Sequence, residues 1–352
     1  MSDAAHGVHS KPPTPGQKWA RFKQSPFLPA TVLVLIISAA AGLFAGSYTY
    51  SMADPAPRSI PTAVVGQYEA QRGREFLDGM ERALDAAVKV HTYDTLAEAR
   101  SAVEEQEVFA ILDLREEGRA VTLGVSGASG ASVADVLAEA AVAAGRQTGV
   151  AVTVRDIRPL QEGDPRGLAI FYISLAAVIT GFVGSIQLSV HARELNPLER
   201  IAFTVAYALL GGFAIAAAVD WGLGALDLPF VESWLILALT MATSGMVFTM
   251  FDTLIGRWAM LPTWGLMVLL GNPSSGGAVS WPLLPSVLGA IGRWLPPGAS
   301  VNAQHTALYF PHHRHAFPYL VLTGWLVVSC AVFLTWTGHK RAPGHSNAPS
   351  PA

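Results

Sequence analysis

Apolar runs of membrane-spanning length alternate, in this chain, with one long stretch of mixed polarity. The first run extends from about Phe27 to Tyr50 and follows Lys11, Lys18, Arg21 and Lys23. A helix rises about 1.5 Å per residue and the hydrocarbon core is ~30 Å thick, so this run is long enough to cross. It exceeds the usual hydrophobic region of a cleaved leader and predicts a retained signal-anchor helix over 27–50. Apolar runs resume near 168–190, 200–222, 233–251, 254–271 and 318–337, broken by charged or Pro/Gly-rich turns. Peptide groups find no water partner in hydrocarbon, so each run is predicted to cross as a helix, about six in all. The run at 254–271 is the weakest, because Asp252 and Arg257 flank it and Pro262 and Gly265 interrupt it; it predicts a kinked or partly inserted segment.

Between the first two runs, residues 54–166 carry most of the acidic side chains and the periodicities of an ordinary folded domain. Ala63, Val64 and Val65 read as a buried strand, and Phe76, Met80, Leu84 and Ala87 recur at helical spacing. Thr95-Leu96-Ala97-Glu98 has the form of a capping box opening a second helix. Val108–Leu112 and the alternating Arg119–Val125 predict paired strands with a turn near Glu117-Gly118. An Ala-rich helix capped by Ser129 or Ser132 and ending before Gly145, then a strand through Val150, Val152 and Val154, complete the order β-α-β-α-β-β-α-β. This predicts a mixed α/β domain of roughly 100 residues with its own core. Further on, Leu284, Leu288, Ile291 and Leu295 share a helical face before Pro296-Pro297-Gly298. They predict an interfacial or re-entrant segment on the outer side within 272–317. Residues 1–26 and 338–352 are polar and read as a disordered cytoplasmic arm and a cytoplasmic tail.

Composition agrees: 51% of the 352 residues are hydrophobic, 14% are charged, and mean hydropathy is +0.37. The net charge of -3 offers no basic face for a nucleic acid. Lys and Arg instead report orientation. The N-terminal arm, Arg193, Arg200, Arg257, Lys340 and Arg341 are expected in the cytoplasm, so 54–166 is expected outside the plasma membrane. The turn with Asp227 and Glu232 also falls outside. The fold class is thus a polytopic α-helical membrane protein with an extracytoplasmic mixed α/β domain between helices 1 and 2. The single cysteine, Cys330, lies in an apolar run and supports neither a disulfide framework nor a thiolate metal site.

Motifs for chemistry are sparse. No lysine sits in a phosphate-cradling Gly-rich loop, and neither HExxH nor GxSxG occurs, so no enzyme activity and no cofactor are expected. Ionisable residues avoid the span centres; Asp220, Asp252 and Arg257 fall near span ends, which argues against proton coupling. His305, His312, His313 and His315 cluster in the last outer loop without a Cys, Asp or Glu to complete a metal site, and read as a solvated loop. Asn272-Pro273-Ser274-Ser275-Gly276-Gly277 is the most distinctive string. It reads as a tight structural turn at the membrane mouth or, alternatively, as a gate or substrate-contact element. Gly181 with Ser185, and Gly211-Gly212, suit either intrachain helix packing or a dimer interface.

This layout resembles the membrane subunits of type-2 ABC transporters, in the branch of the phage infection protein (Pip-like) family and related actinobacterial permeases. The resemblance covers nearly the whole chain and rests on the single N-terminal helix and on Thr95-Leu96-Ala97-Glu98-Ala99-Arg100 leading into Val108-Phe109-Ala110-Ile111-Leu112. It rests further on Gly271 to Gly277 followed by Leu283-Leu284-Pro285 and Leu295-Pro296-Pro297-Gly298. It implies a permease fold, working as a homodimer or heterodimer with a separate cytoplasmic ATPase, that exports a hydrophobic or polymeric substrate. Arg193, Glu194, Glu199 and Arg200 are then the expected docking surface for that ATPase. Larger members have a far longer outer part rich in coiled coil, so no long stalk is implied here. The alternative is a membrane-anchored binding, envelope-assembly or phage-receptor protein without transport activity.

Overall fold

The computed structural model describes residues 25–53, 55–115 and 120–341, with side chains to 339, together with residues 15, 16, 19 and 23. The expected tail at 342–352, the turn at Glu117-Gly118 and most of the N-terminal arm lie outside the described residues. The chain divides into two units, residues 1–46 and 47–352. Helix α1 (Phe27–Met52) runs from the first into the second, and none of its apolar window is buried within the protein. Leu33, Leu35, Ile37 and Leu43 point outward, as a lipid-facing helix requires.

The second unit opens with the α/β part. Its elements are β1 (Ile60–Gly66), α2 (Gln71–Leu84), β2 (Val88–Tyr93), α3 (Leu96–Glu104), β3 (Ala110–Leu114), β4 (Ala120–Val125), α4 (Ala131–Thr148) and β5 (Ala151–Asp156). The element order is the one the periodicity predicts. The five strands lie in the order β2-β1-β3-β4-β5, parallel except for the β3–β4 pair. Helices α2 and α4 cover one face, where Phe76, Met80 and Leu137 meet Val64, Leu112 and Leu123. Helix α3 covers the other, packing Ala99 and Val103 on Ala63, Val65 and Ile111. The interior strand β1 is buried on both faces, which is why it reads as a continuous apolar run.

Local chemistry sets the ends of these elements. The Thr95 hydroxyl accepts from the Glu98 N–H at 3.2 Å, but the Glu98 carboxylate reaches back to the Asp94 N–H rather than to Thr95. Helix α3 ends in a Schellman turn: the Gln106 N–H donates to the Val103 carbonyl at 3.0 Å and the Glu107 N–H to Ala102 at 2.9 Å. Helix α4 has no side-chain cap from Ser129 or Ser132, and it continues past Gly145 to the left-handed Gly149. Ser129 is engaged instead by Ser126, whose hydroxyl accepts the Ser129 N–H at 3.2 Å.

The membrane-type helices are α5 (Ala169–His191), α6 (Pro197–Ala217, extended by a wide π-type turn to Gly222), α7 (Phe230–Ile255) and α11 (Phe317–Arg341). With α1, they make five described helices long and apolar enough to cross a membrane. Helix α7 is the hub: 78% of its apolar window is buried, against 22% for α6. The reason lies in its side chains. Thr240, Thr243, Ser244 and Gly245 are small or hydroxylated, and their hydroxyls find partners on neighbouring helices. Ser244 Oγ donates to the Val178 carbonyl at 2.7 Å, and Thr243 Oγ1 to Leu322 at 3.2 Å. Gly181 lies against the Met241 backbone, Gly212 against Ala238, and the Tyr207 hydroxyl donates to the Gly181 carbonyl. These small residues therefore serve packing within the chain. Aromatic rings mark both ends of α7: Trp221 stacks on Phe230 at 4.3 Å at one, and Arg257 lies over the Trp258 ring at the other.

The run at 254–271 is not one spanning helix. Gly256, at φ 57°, ends α7, and the chain continues as a turn over Gly256–Trp258, a short α8 (Met260–Trp264) and wide turns over Gly265–Gly271. Pro262 cannot donate to a helical ladder, and the stretch Met260–Gly271 covers only about 18 Å at helical rise. Residues 272–280 complete the return as irregular backbone, in which Asn272, Ser274 and Ser275 are buried. Such backbone is tolerated at bilayer depth only inside protein. The segment then forms a turn at Trp281–Leu283, α9 (Ser286–Gly292) and α10 (Pro296–Tyr309), whose exposed Val287 and Trp294 suit an interfacial position.

Packing around the irregular segment leaves no room for a methyl group at Gly292, where an added Cβ would lie 1.7 Å from the Ser274 carbonyl oxygen. Gly292→Ala is expected to lower the thermal stability of the detergent-solubilised protein by about 3 kcal/mol, at the upper end for overpacking. Gly324→Ala, with nothing within 4 Å of its Cβ, should change it by less than about 0.5 kcal/mol. Equal melting curves for the two variants would show that the turn is not packed as described.

Candidate functional site

The α/β part is fastened to one end of the helical bundle by polar contacts. Arg158 donates to the Tyr309 carbonyl from Nη2 at 2.6 Å and from Nε at 3.1 Å, while pairing with Glu104 at 3.2 Å. Gln161 and Asp227 exchange two hydrogen bonds, at 2.7 and 3.2 Å. The Ser280 N–H donates to Ser132 Oγ at 3.2 Å. Beside these fastenings lies a cleft of about 780 Å³, within the range typical of ligand sites.

The cleft is built from segments that enter the sheet and from the 281–318 stretch. Aromatic residues are prominent in its lining: Trp281, Trp294, Phe317 and Phe109. Trp294 and Phe317 meet edge to face at 4.8 Å, and the Trp294 carbonyl accepts the Trp325 Nε1–H at 2.9 Å. Charged residues line it as well, Arg58, Arg293, Glu105 and Glu107, of which the Glu105 carboxylate accepts from the Ser101 hydroxyl at 3.1 Å. The Arg58 N–H donates to the Pro282 carbonyl at 3.1 Å, which ties the entry to β1 to the turn at 281–283. The described non-glycine residues with positive φ are Ser59, Asp85 and Gln106, and two of these line the cleft. Gln106 owes its conformation to the Schellman turn. Ser59, at φ 112°, has no such origin and marks local strain at the rim.

A small annex of about 40 Å³ adjoins the cleft and shares Gln106, Ser129 and Asn302 with it. His305 closes this annex. Its Nδ1 lies 3.1 Å from the Ala128 carbonyl, so Nδ1 carries the proton and Nε2 is the acceptor. Burial lowers its pKa from 6.5 to about 4, against the opposing influence of the Ala128 carbonyl and Asp164. The ring is therefore neutral at pH 7.

Most of the sequence-predicted string lies behind this cleft, and its Gly276 lines the annex. Ser274 Oγ donates to the Leu270 carbonyl at 2.6 Å and Ser275 Oγ to Asn272 at 2.7 Å. The Trp281 Nε1–H donates to the Ser274 carbonyl at 3.2 Å, and Gly276 at φ 81° lies under the Trp281 indole. Gly277 packs on Phe171 and Val301, while the Asn272 Nδ2 is buried without a hydrogen-bond partner. Pro273 and its neighbours thus back the wall that presents Trp281.

At the opposite end of the bundle, Arg193 and Glu194 expose their side chains in the turn between α5 and α6. Glu199 is committed to a capping box with Asn196, at 2.9 and 3.0 Å, and Arg200 pairs with Asp252 at 3.3 Å, tying α6 to α7. The four residues are therefore not one uniform surface. The outer histidines do not converge either: among the described residues no group of three or more metal-ligating side chains exists. His315 Nε2 meets the Glu105 carbonyl at 2.9 Å. Sequence reasoning missed the charged wall, because Arg58, Glu107 and Arg293 are far apart along the chain; the tryptophans at 281 and 294 were its only local signal.

Fold and site together define a class: a mostly helical membrane protein whose bundle carries a five-stranded α/β part with a cleft at their junction. Comparison goes no further, because no family model, no curated protein and no solved structure matches the chain.

Two expectations follow from the site. A half-buried histidine with a depressed pKa binds fewer protons than the unfolded chain, so its contribution is full above about pH 6.5 and is lost as pH falls toward 4. Over that window the loss is about 3 kcal/mol, and the acid-side decline in melting temperature should be shallower in His305→Gln. Arg158→Ala removes both bonds to Tyr309 and is expected to cost about 2 kcal/mol. Hydrogen exchange should localise that loss to the contact between β5 and α10; unchanged protection there would contradict the fastening role.

Proposed function

We propose that the chain is the permease-like membrane subunit of an exporter of the type-2 ABC kind, driven by a separate cytoplasmic ATPase. In this reading the α/β part lies outside the plasma membrane, both termini lie in the cytoplasm, and the exported substrate is hydrophobic or polymeric. The observation that carries the proposal is the broken return over 256–280, an interrupted helical segment whose later part, from Gly271 to Gly277, packs against α5 and α10 and leads into the cleft. Interrupted helices in membranes concentrate where substrates pass, because they supply backbone polar groups at depth. The position of Arg193, Arg200 and Arg257 at the end of the bundle away from the α/β part supports the orientation.

A second reading, a membrane-anchored binding or assembly protein, is favoured by the closed middle of α7. Its hydroxyls there are consumed by direct interhelical bonds to Val178, Ser300 and Leu322. That reading needs no ATPase.

Purification of the tagged full chain in mild detergent separates the two. Export predicts a co-purifying nucleotide-hydrolysing subunit, lost on combining Arg193→Glu with Glu194→Lys, at residues that expose their side chains. Recovery of the chain alone, with no export defect on deletion, would favour the anchor. Orientation is tested with Glu139→Cys in a Cys330→Ser background, using an impermeant maleimide on intact cells. Labelling before lysis is expected, and its absence would invert the topology.

A further inference from the structure

The lining of the junction cleft combines charges of both signs with aromatic side chains. None of the ion pairs among the described residues involves Arg58, Arg293 or Glu107. Arg58, Glu107 and Arg293 are exposed to the cleft rather than neutralised across it. A ligand with only one sign of charge would leave half of this wall uncompensated, whereas a zwitterion answers both halves. Exposed apolar side chains lie in or next to the lining segments: Trp294 at 59% lines the cleft, Val287 follows the lining residue Ser286 in α9, and Leu320 is two residues beyond the lining residue Pro318 in the first turn of α11. Apolar groups exposed at the head of a spanning helix are covered by the bilayer surface, which gives an amphiphile a route in from the side. Strain at Ser59 on the rim agrees with a preformed site.

We propose that this cleft binds a zwitterionic phospholipid taken from the adjoining bilayer surface. Its phosphate is held by Arg58 and Arg293 and its ammonium by Glu107. The head of its acyl chains lies along Trp294 and Phe317. Arginine suits a phosphate through paired N–H donors, and the indole faces add attraction for the ammonium. The proposal goes beyond the exporter reading and requires only that the bundle resides in a membrane; the anchor reading accommodates it equally.

The test uses the full chain in nanodiscs that contain either photoactivatable phosphatidylethanolamine or the anionic phosphatidylglycerol analogue, with crosslinked peptides mapped by mass spectrometry. Phosphatidylethanolamine should label the 281–294 and 105–109 regions well above phosphatidylglycerol. Combining Arg58→Ala with Arg293→Ala should reduce that labelling about tenfold, the scale of losing charge-assisted bonds. Glu107→Gln, at an exposed position, keeps the test sound if the double variant folds poorly: it should narrow the preference for the zwitterion over the anion. Labelling spread evenly over the outer faces of α5 and α6, or equal for the two lipids, would overturn the proposal. Competition by water-soluble phosphoethanolamine as effective as by the lipid would also overturn it, reassigning the cleft to a soluble zwitterion. Because no ATPase enters these measurements, the lipid site and the transport reading stand or fall separately.

Discussion

A peptide group in hydrocarbon must find its hydrogen bond within the protein, and the architecture of this chain follows from how that demand is met. Regular helices meet it alone, so α5, α6 and α11 can show apolar sides to lipid. The irregular stretch 272–280 cannot, and it is folded inward. Its hydroxyls turn back onto the Leu270 and Asn272 carbonyls, and Trp281 reaches the Ser274 carbonyl. Helix α7 supplies the shielding frame, because small side chains let α5 and α6 approach its backbone.

The same demand explains which parts of the fold were legible. Long apolar runs gave α1, α5, α6, α7 and α11 to within a few residues, since length and composition alone decide crossing. Strand and helix periods gave the order of the α/β part, because its two-sided core forces Ala63, Val65 and Val64 inward together. The interruption at Pro262 and Gly265 was visible as weakness, but the path that replaces a spanning helix depends on the Ser280–Ser132 contact across the chain. No local pattern encodes such a contact.

The candidate site was less readable for a related reason. Asn272 to Gly277 stood out because turn chemistry is local; its buried side chains support the wall behind Trp281, and Gly276 lines the annex. Glu199 also satisfies the Asn196 cap, and Arg200 also pairs with Asp252, roles that the docking expectation did not include. The cleft itself is assembled from residues near 58, 106, 281, 294 and 315. Tertiary folding brings these together, and neither charge nor spacing along the sequence announces it.

The central placement of α7 also makes it a ruler. Its 26 residues fix a length of about 39 Å, bracketed by Phe230 with Trp221 at one end and Trp258 at the other. A single peripheral helix could absorb a thicker or thinner bilayer by leaning. Here three other helices are locked to the ruler, so any lean must be shared by the whole bundle. The wide turn that ends α6 and the wide turns after Gly256 lie outside that regular pitch, so a change in bilayer thickness would be felt first at these two places.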